Sequence, residues 1–406
     1  MEAMAVKKIV YSKPCFILMS CKRSNVTEDF FKASASDTVV ITHKLSQKEK
    51  QEFSTKVTEL EKKFPKEEFI ITFVLMSREF DEQYVKDFVQ NVLRGIDHAS
   101  DITRLLRYVA LLNCYVQNSY ISVSHCEAFL GLGVMTKDQH NTIRQCNFKS
   151  YLFRSEQARI LFIELREKNS CISSIHIIHP LIAKEVLNQL SQNRPQSDIV
   201  NDLLDEKVLL QHRFGRDDFI KFIRDLFLMR DRKSRGDKVD TLFSPMIEHV
   251  CEVEHNPEKA IKLLQTAYKQ FDKDAFFAQQ LARLHYMHEK FEEAKSWAET
   301  ARHQLPGNSF ILHTEGQVYK RWFNLLLNRK KNDLTPEDVI KLIELSLTSM
   351  ECFSSRKMQQ KMRGTLVFSK NREKENMELL KYLLTDYIPE EIEKPWFEYH
   401  SRLKGL

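Results

Sequence analysis

Eight cysteines and fourteen histidines are the side chains of this sequence best suited to hold a metal or attack a substrate. The cysteines stand at 15, 21, 114, 126, 146, 171, 251 and 352, with no CxxC pair and no histidine at partnered spacing. A structural zinc site needs four convergent ligands, usually contributed as close pairs, so no metal is expected. Most of these cysteines lie in apolar stretches and read as reduced core residues. His176 and His179 form an HxxH on an expected strand, where alternation sends the two rings to opposite faces and argues against a shared ion. His179 itself falls at a strand-to-helix junction, where an imidazole serves either as a structural residue or as a proton-dependent contact.

Phosphate chemistry would need a GxxxxGK[ST] loop and a strand-end acid for magnesium. None of the nine glycines (95, 131, 133, 215, 236, 307, 316, 364, 405) stands in that arrangement. Self-contained ATP hydrolysis is therefore not expected, and the chain reads as a non-enzyme with no cofactor of its own. Lys22 and Arg23 end an apolar run, and the carboxyl ends of buried strands line the crevice of open α/β sheets. Arg23 is thus a candidate ligand contact, with a solvated basic turn as the plainer reading.

The elements that would carry these residues are legible in outline. Cys15–Met19 and Thr38–Thr42 are short runs apolar on both faces, as in strands covered by helices. From Leu45 to Phe64 the period becomes helical, with Ser46 and Glu49 as a capping box and Phe53, Val57 and Leu60 on one side. A second helix carries Val85, Phe88, Val89 and Val92, and Gly95 can close it. Residues 101–116 are helical, with Ile102, Leu105, Leu106 and Val109 on one face. Ser124 and Glu127 then cap a short helix, His125 to Leu130. Strands follow at Tyr151–Arg154, Ile160–Leu165 and Ile172–Ile178, and Pro180 opens a helix to about Leu190. Helices leading into such a hairpin suggest a winged helix. The helix expected before the wing, Lys137 to Gln145, holds only Lys137 and Arg144 as fixed cations, few for a DNA-reading helix. Two further helices are expected over Asp198–Gln211 and Asp217–Met229, and Ser244-Pro245 starts another.

A shift of 34 positions aligns Ala260 with Ala294, Ala267 with Ala301 and Ala282 with Gly316. Leu281, Ala282, Ala294, Ala301 and Pro306 fall where the tetratricopeptide pattern places small or apolar residues and a closing proline. Small residues there let paired helices approach, and stacking supplies the core one pair lacks. Arg329-Lys330-Lys331 reads as a solvated loop. From Met358 the chain is polar, with a helix expected over Glu375–Leu384.

Apolar residues form 42% and charged residues 29% of the 406, a globular balance. The net charge of +6, with signs interleaved, is too mild to demand nucleic acid, though it leaves that partner open. The longest apolar stretch, Phe69 to Met76, is far short of a membrane span, and Glu2 argues against a signal peptide.

Several strings are unusual: Phe16-Ile17-Leu18-Met19-Ser20-Cys21-Lys22-Arg23-Ser24, Ala110-Leu111-Leu112-Asn113-Cys114-Tyr115-Val116 and Ser124-His125-Cys126-Glu127-Ala128-Phe129-Leu130-Gly131. Ile177-Ile178-His179-Pro180-Leu181-Ile182-Ala183, Phe243-Ser244-Pro245 and Gly316-Gln317-Val318-Tyr319-Lys320 complete the set. In these the chain resembles the sterile alpha motif domain-containing protein 9 and 9-like family of interferon-linked antiviral factors, from about residue 10 to 350. That family has the build of STAND-type signalling ATPases.

The resemblance implies a mainly α fold with a minor α/β part. It divides into the end of a P-loop-type α/β domain (1–97), a winged helix (98–192), a helical linker (193–254), tetratricopeptide-like repeats (255–350) and a charged tail (351–406). It implies that His179 senses the phosphate of bound ADP, with Arg23 nearby, and that ATP or ADP binds only if a longer chain supplies the phosphate loop. The family's sterile alpha motif, nuclease-like and C-terminal oligonucleotide-fold regions have no counterpart in the sequence. Proteins are the expected partners, including a second copy or longer relatives, in the cytoplasm and in association with endosomes. The alternatives are a free-standing repeat adaptor and, more weakly, a nucleic-acid binder.

Overall fold

The computed structural model describes residues 47–63, 81–132, 136–137, 143–144, 148, 152, 155–166, 172–230, 243–330 and 334–362. The strands expected at 15–19 and 38–42, Arg23 and the helix at 375–384 lie outside these residues. Most of the described chain is helical, with a small antiparallel sheet.

Helix α1 (Gln47–Lys63) buries Val57 and half-buries Phe53 and Leu60, as its period requires. Helix α2 (Glu82–Leu93) starts where the Asp81 carboxylate accepts the Tyr84 N–H at 2.8 Å. Its Val85, Val89 and Leu93 point into the core, and Gly95, at φ +73°, turns the chain away in a conformation a side chain would resist. Helix α3 (Asp101–Tyr115) is capped by Ser100 and sheathed on most sides, with Leu105, Val109, Leu111 and Leu112 fully buried.

Strands β1 (Ile121–Ser122), β4 (Phe162–Arg166) and β5 (Ser173–Ile177) form a sheet of order β1-β5-β4, with Ile121 opposite Ile175 and Phe162 opposite Ile177. Between β1 and β4 come α4 (Val123–Phe129), the two-stranded ribbon of β2 (Thr136–Lys137) and β3 (Ile143–Arg144), and α5 (Glu156–Leu161). Four expectations are corrected here. The third strand of the sheet is Ile121–Ser122, while Leu152 is helical, not part of a strand. Ile160 and Leu161 end a helix, because the Ser155 hydroxyl caps Ala158 N–H at 3.2 Å and sends Ala158 and Leu161 to the core one turn apart. Instead of a helix over Lys137–Gln145 the ribbon forms, since that stretch holds a single apolar residue, Ile143, and a helix would have no stripe to bury. The cap of α4 is Ser122, not Ser124, and Glu127 reaches away to accept the Phe148 N–H at 3.1 Å.

Helix α6 (Pro180–Ser191) packs along α3 through Ile182, Val186, Leu187 and Leu190. The single helix expected over 198–211 is two, α7 (Gln196–Asp205) and α8 (Lys207–Gln211), broken at Glu206, where ψ is 84°. After α9 (Arg216–Leu228), the short α10 (Pro245–Glu248) runs into a π-helical turn over His249–Val253.

Four helices then follow in register: α11 (Pro257–Gln270), α12 (Ala275–Met287), α13 (Phe291–Gln304) and α14 (Ser309–Lys330). The starts of α11 and α13 lie 34 positions apart, and so do those of α12 and α14. The aligned alanines 260, 267, 294 and 301 are all fully buried at helix contacts. Arg329 and Lys330 are the last turn of α14 rather than a loop. Arg329 pairs with Glu289 there, and Lys330 with Asp338 at 2.7 Å. Helix α15 (Pro336–Met362) closes the array against α14.

One apolar core runs without a break from Val85 through the sheet and α7 to Ile311. A second cluster, from Ala282 to Cys352, unites α12 to α15. Among the described residues no helix is long and apolar enough to cross a membrane.

Candidate functional site

The sheet-to-helix junction is held in place from three sides. Asn113, near the end of α3, accepts the Ile177 N–H at 2.8 Å and donates to the Ser119 carbonyl at 2.7 Å. That clasp fixes the last residue of β5 two positions before His179. His179 is extended (φ −155°, ψ 144°), and its Nδ1 accepts the Leu181 N–H at 3.2 Å, capping α6. Pro180 at the first helical position has no N–H to satisfy. An Nδ1 that accepts a backbone N–H leaves the proton of a neutral ring on Nε2. Partial burial lowers the His179 pKa, which favours that neutral form. The imidazole is therefore a neutral ring held in a fixed orientation at the start of α6. His176 belongs to the sheet, one residue before Ile177. Its Nε2 shares a hydrogen bond with Ser174 Oγ at 2.9 Å, and its ring lies 5.8 Å from that of Tyr120. Arg23 lies outside the described residues.

A second histidine pair joins the sheet to the following helices. His125 is fully buried, its Nδ1 sits 2.7 Å from Ser122 Oγ, and its ring meets those of His212 at 4.6 Å and Phe219 at 5.0 Å. His212 Nε2 in turn lies 3.1 Å from Ser124 Oγ. Burial pushes the His125 pKa down to about 4, helped by His212. A serine on an imidazole is half of a nucleophilic relay, but Ser122 is 3% exposed and is used as the α4 cap, so the pair acts as a joint. The four described thiols are equally quiet: burial pushes Cys114 and Cys251 up to about 11 and also raises Cys126 and Cys352. Among the described residues no three His, Cys, Asp or Glu side chains converge as a metal site.

Polar clasps join α3 and the connecting helices to one another and to the helical array. Tyr115 Oη donates to Gln196 Oε1 at 2.6 Å. Glu254, just past the π turn, accepts both the Ser197 N–H at 3.0 Å and the Ser197 hydroxyl. Lys259 pairs with Asp198, and Arg224 with Asp274 at 2.6 Å. Sequence reasoning found His179 but missed Asn113 and Glu254, whose partners lie 64 and 57 positions away in sequence.

These features define a mostly helical protein in which a three-stranded sheet is clasped onto a stack of antiparallel helices. The chain is 32% identical over 383 residues to the human sterile alpha motif domain-containing protein 9-like, a match covering 92% of the chain and 23% of that protein. It is 36% identical over 323 residues to the mouse protein of the same name, covering 79% of the chain and 20% of the relative. With the human sterile alpha motif domain-containing protein 9 it shares 31% over 370 residues, 89% of the chain and 22% of that protein. By this homology the chain belongs to the sterile alpha motif domain-containing protein 9 and 9-like family, and it spans about a fifth of the length of those relatives. No protein-family model matches the chain, and no solved structure matches it.

Proposed function

We propose that the chain is a non-catalytic regulatory and self-association region of an antiviral factor of STAND type, working in the cytoplasm. In this reading residues 98–192 are a winged helix, and 255–350 are tetratricopeptide-like repeats that contact proteins. A nucleotide held elsewhere in the full-length protein is read by His179, and its state selects between a closed and an open arrangement. The observation that carries the reading is the placement of His179. It stands as a neutral imidazole at the junction of β5 and α6, and that junction shares one apolar core with the first helices of the array.

The test uses the full-length protein. His179→Ala is expected to shorten the retention of ADP and increase self-association; unchanged retention and association would remove the nucleotide-reading role. His179→Asp separates sensing from capping, because aspartate keeps the cap acceptor and has no N–H to donate. It should behave like alanine in retention and like the parent in stability.

The 34-position spacing of the helices also supports a second reading, a repeat adaptor independent of nucleotide. That reading predicts protein binding that His179 variants leave untouched.

A further inference from the structure

Helices α12 and α14 lie side by side, and their contacts run in the same order along both. Gln279 Nε2 donates to the Phe310 carbonyl at 2.7 Å and to Thr314 Oγ1 at 2.8 Å. Arg283 Nε meets the same Thr314 hydroxyl at 3.3 Å, and Arg321 Nη1 lies 3.1 Å from Met287 Sδ. The two helices are therefore parallel neighbours, with α13 packed behind both. Their outer faces make a strip that begins at Phe276 and Phe310, passes Arg283 and ends at Met287 and Arg321. From Phe276 to Met287 it is roughly 16 Å long at the helical rise, the span of about five extended residues.

The charges on this strip are one-sided. Arg283 is only 8% exposed, and among the described residues no carboxylate lies within ion-pair distance of it. Arg321 is exposed, stands 5.0 Å over the Tyr286 ring, and likewise has no carboxylate partner among the described residues. A buried guanidinium without an acid is costly, and burial accordingly pushes Arg283 down to about 10. Arg224 on α9, by contrast, is neutralised by Asp274. At the other end Phe310 is 60% exposed, and Met287 is 43% exposed beside Arg321, more apolar surface than a solvent face requires.

We propose that this strip docks an extended acidic segment of a partner protein, with separate carboxylates on Arg283 and Arg321 and an apolar side chain against Phe310. One carboxylate supplies the charge that Arg283, whose charged neighbour Arg230 is another cation, lacks; a second meets Arg321, and the fork geometry of each guanidinium suits it. A nucleic acid fits less well, because a phosphate backbone needs a row of accessible cations, and the strip's central cation lies at the floor of the seam. The inference deepens the protein-contact part of the proposed function and is independent of the nucleotide-reading part.

The experiment presents the full chain to an array of synthetic peptides of about seven residues with graded numbers of Asp, Phe, Leu, Ser and Lys. Retained peptides are expected to combine acidic and apolar residues. Arg321→Gln and Phe310→Ala should each weaken them by roughly tenfold, as should Arg283→Gln. Lys269→Gln, which removes an equal charge from exposed α11, should change nothing. Arg321 and Phe310 are exposed, so those variants keep the test valid if Arg283→Gln disturbs folding. No enrichment of acidic peptides, or equal binding by Arg321→Gln, overturns the proposal. So does a single-stranded oligouridylate that outcompetes the acidic peptides. Arg321→Gln should leave ADP retention in the full-length protein unchanged, so failure here and failure of the His179 test are told apart.

Discussion

At the scale of single residues, two imidazoles show how burial sets function and stability. His125 has a folded pKa of about 4, against an ordinary value near 6.5. The folded state therefore holds it neutral while the unfolded chain takes up a proton as pH falls below about 6.5. Its stabilisation is complete above that value and is lost progressively down to about pH 4, amounting to about 2 kcal/mol by pH 5. His179, His249 and His285 are also lowered by burial and act with the same sign. We expect the melting temperature to fall between about pH 7 and pH 5, and His125→Gln to fall less steeply. Parallel slopes for the two proteins would show that His125 is not a source of the effect. His179 caps α6, so His179→Ala should cost about 1 kcal/mol in chemical denaturation and His179→Asp little.

At the scale of elements, the close approach of α14 and α15 rests on Gly316. Mid-helix glycine is worse than alanine by about 1 kcal/mol on backbone grounds alone. A Cβ at this position would stand 2.7 Å from the Phe353 ring, and Ser349 Oγ donates to the Gly316 carbonyl at 3.0 Å across the same contact. Gly316→Ala is therefore expected to destabilise by about 1–3 kcal/mol despite its better propensity. Combined with Phe353→Ala, its cost should be much smaller than the sum of the two, as a denaturant double-mutant cycle would read. Additive costs would mean that the ring does not define the contact. The sequence aligned Gly316 with Ala282 one period earlier, which marks both as small-residue positions. It held no sign that Phe353, 37 positions on, is what requires glycine.

At the scale of the whole molecule, the sheet, the connecting helices and the first helices of the array share one core. Leu203 on α7 is fully buried midway through it. Leu203→Ala should cost about 2–5 kcal/mol and lower a single transition, with helix circular dichroism and tryptophan fluorescence sharing one midpoint. Two transitions, only one of them moved, would show that sheet and repeats fold apart.

Periodicity by itself determined several of the longer helices, because three or more turns of apolar residues on one side leave only one way to bury them, though the longest, Pro336–Met362, went unread. The intervals 47–63, 82–93, 101–115 and 180–191 and the 34-position array all follow from that. Short elements were another matter. Ile121–Ser122 is a two-residue strand that exists only because β5 passes beside it, and no local pattern could announce it. The β2–β3 ribbon, the break at Glu206 and the choice of Ser122 over Ser124 as cap were likewise settled by neighbours distant in sequence. His179 was visible as a junction residue, yet its tautomer depends on Leu181 and on the clasp from Asn113. Nothing in the local sequence marks Arg283; α14 buries it with no acid beside it among the described residues, for burial is a property of the assembled surface and not of the chain.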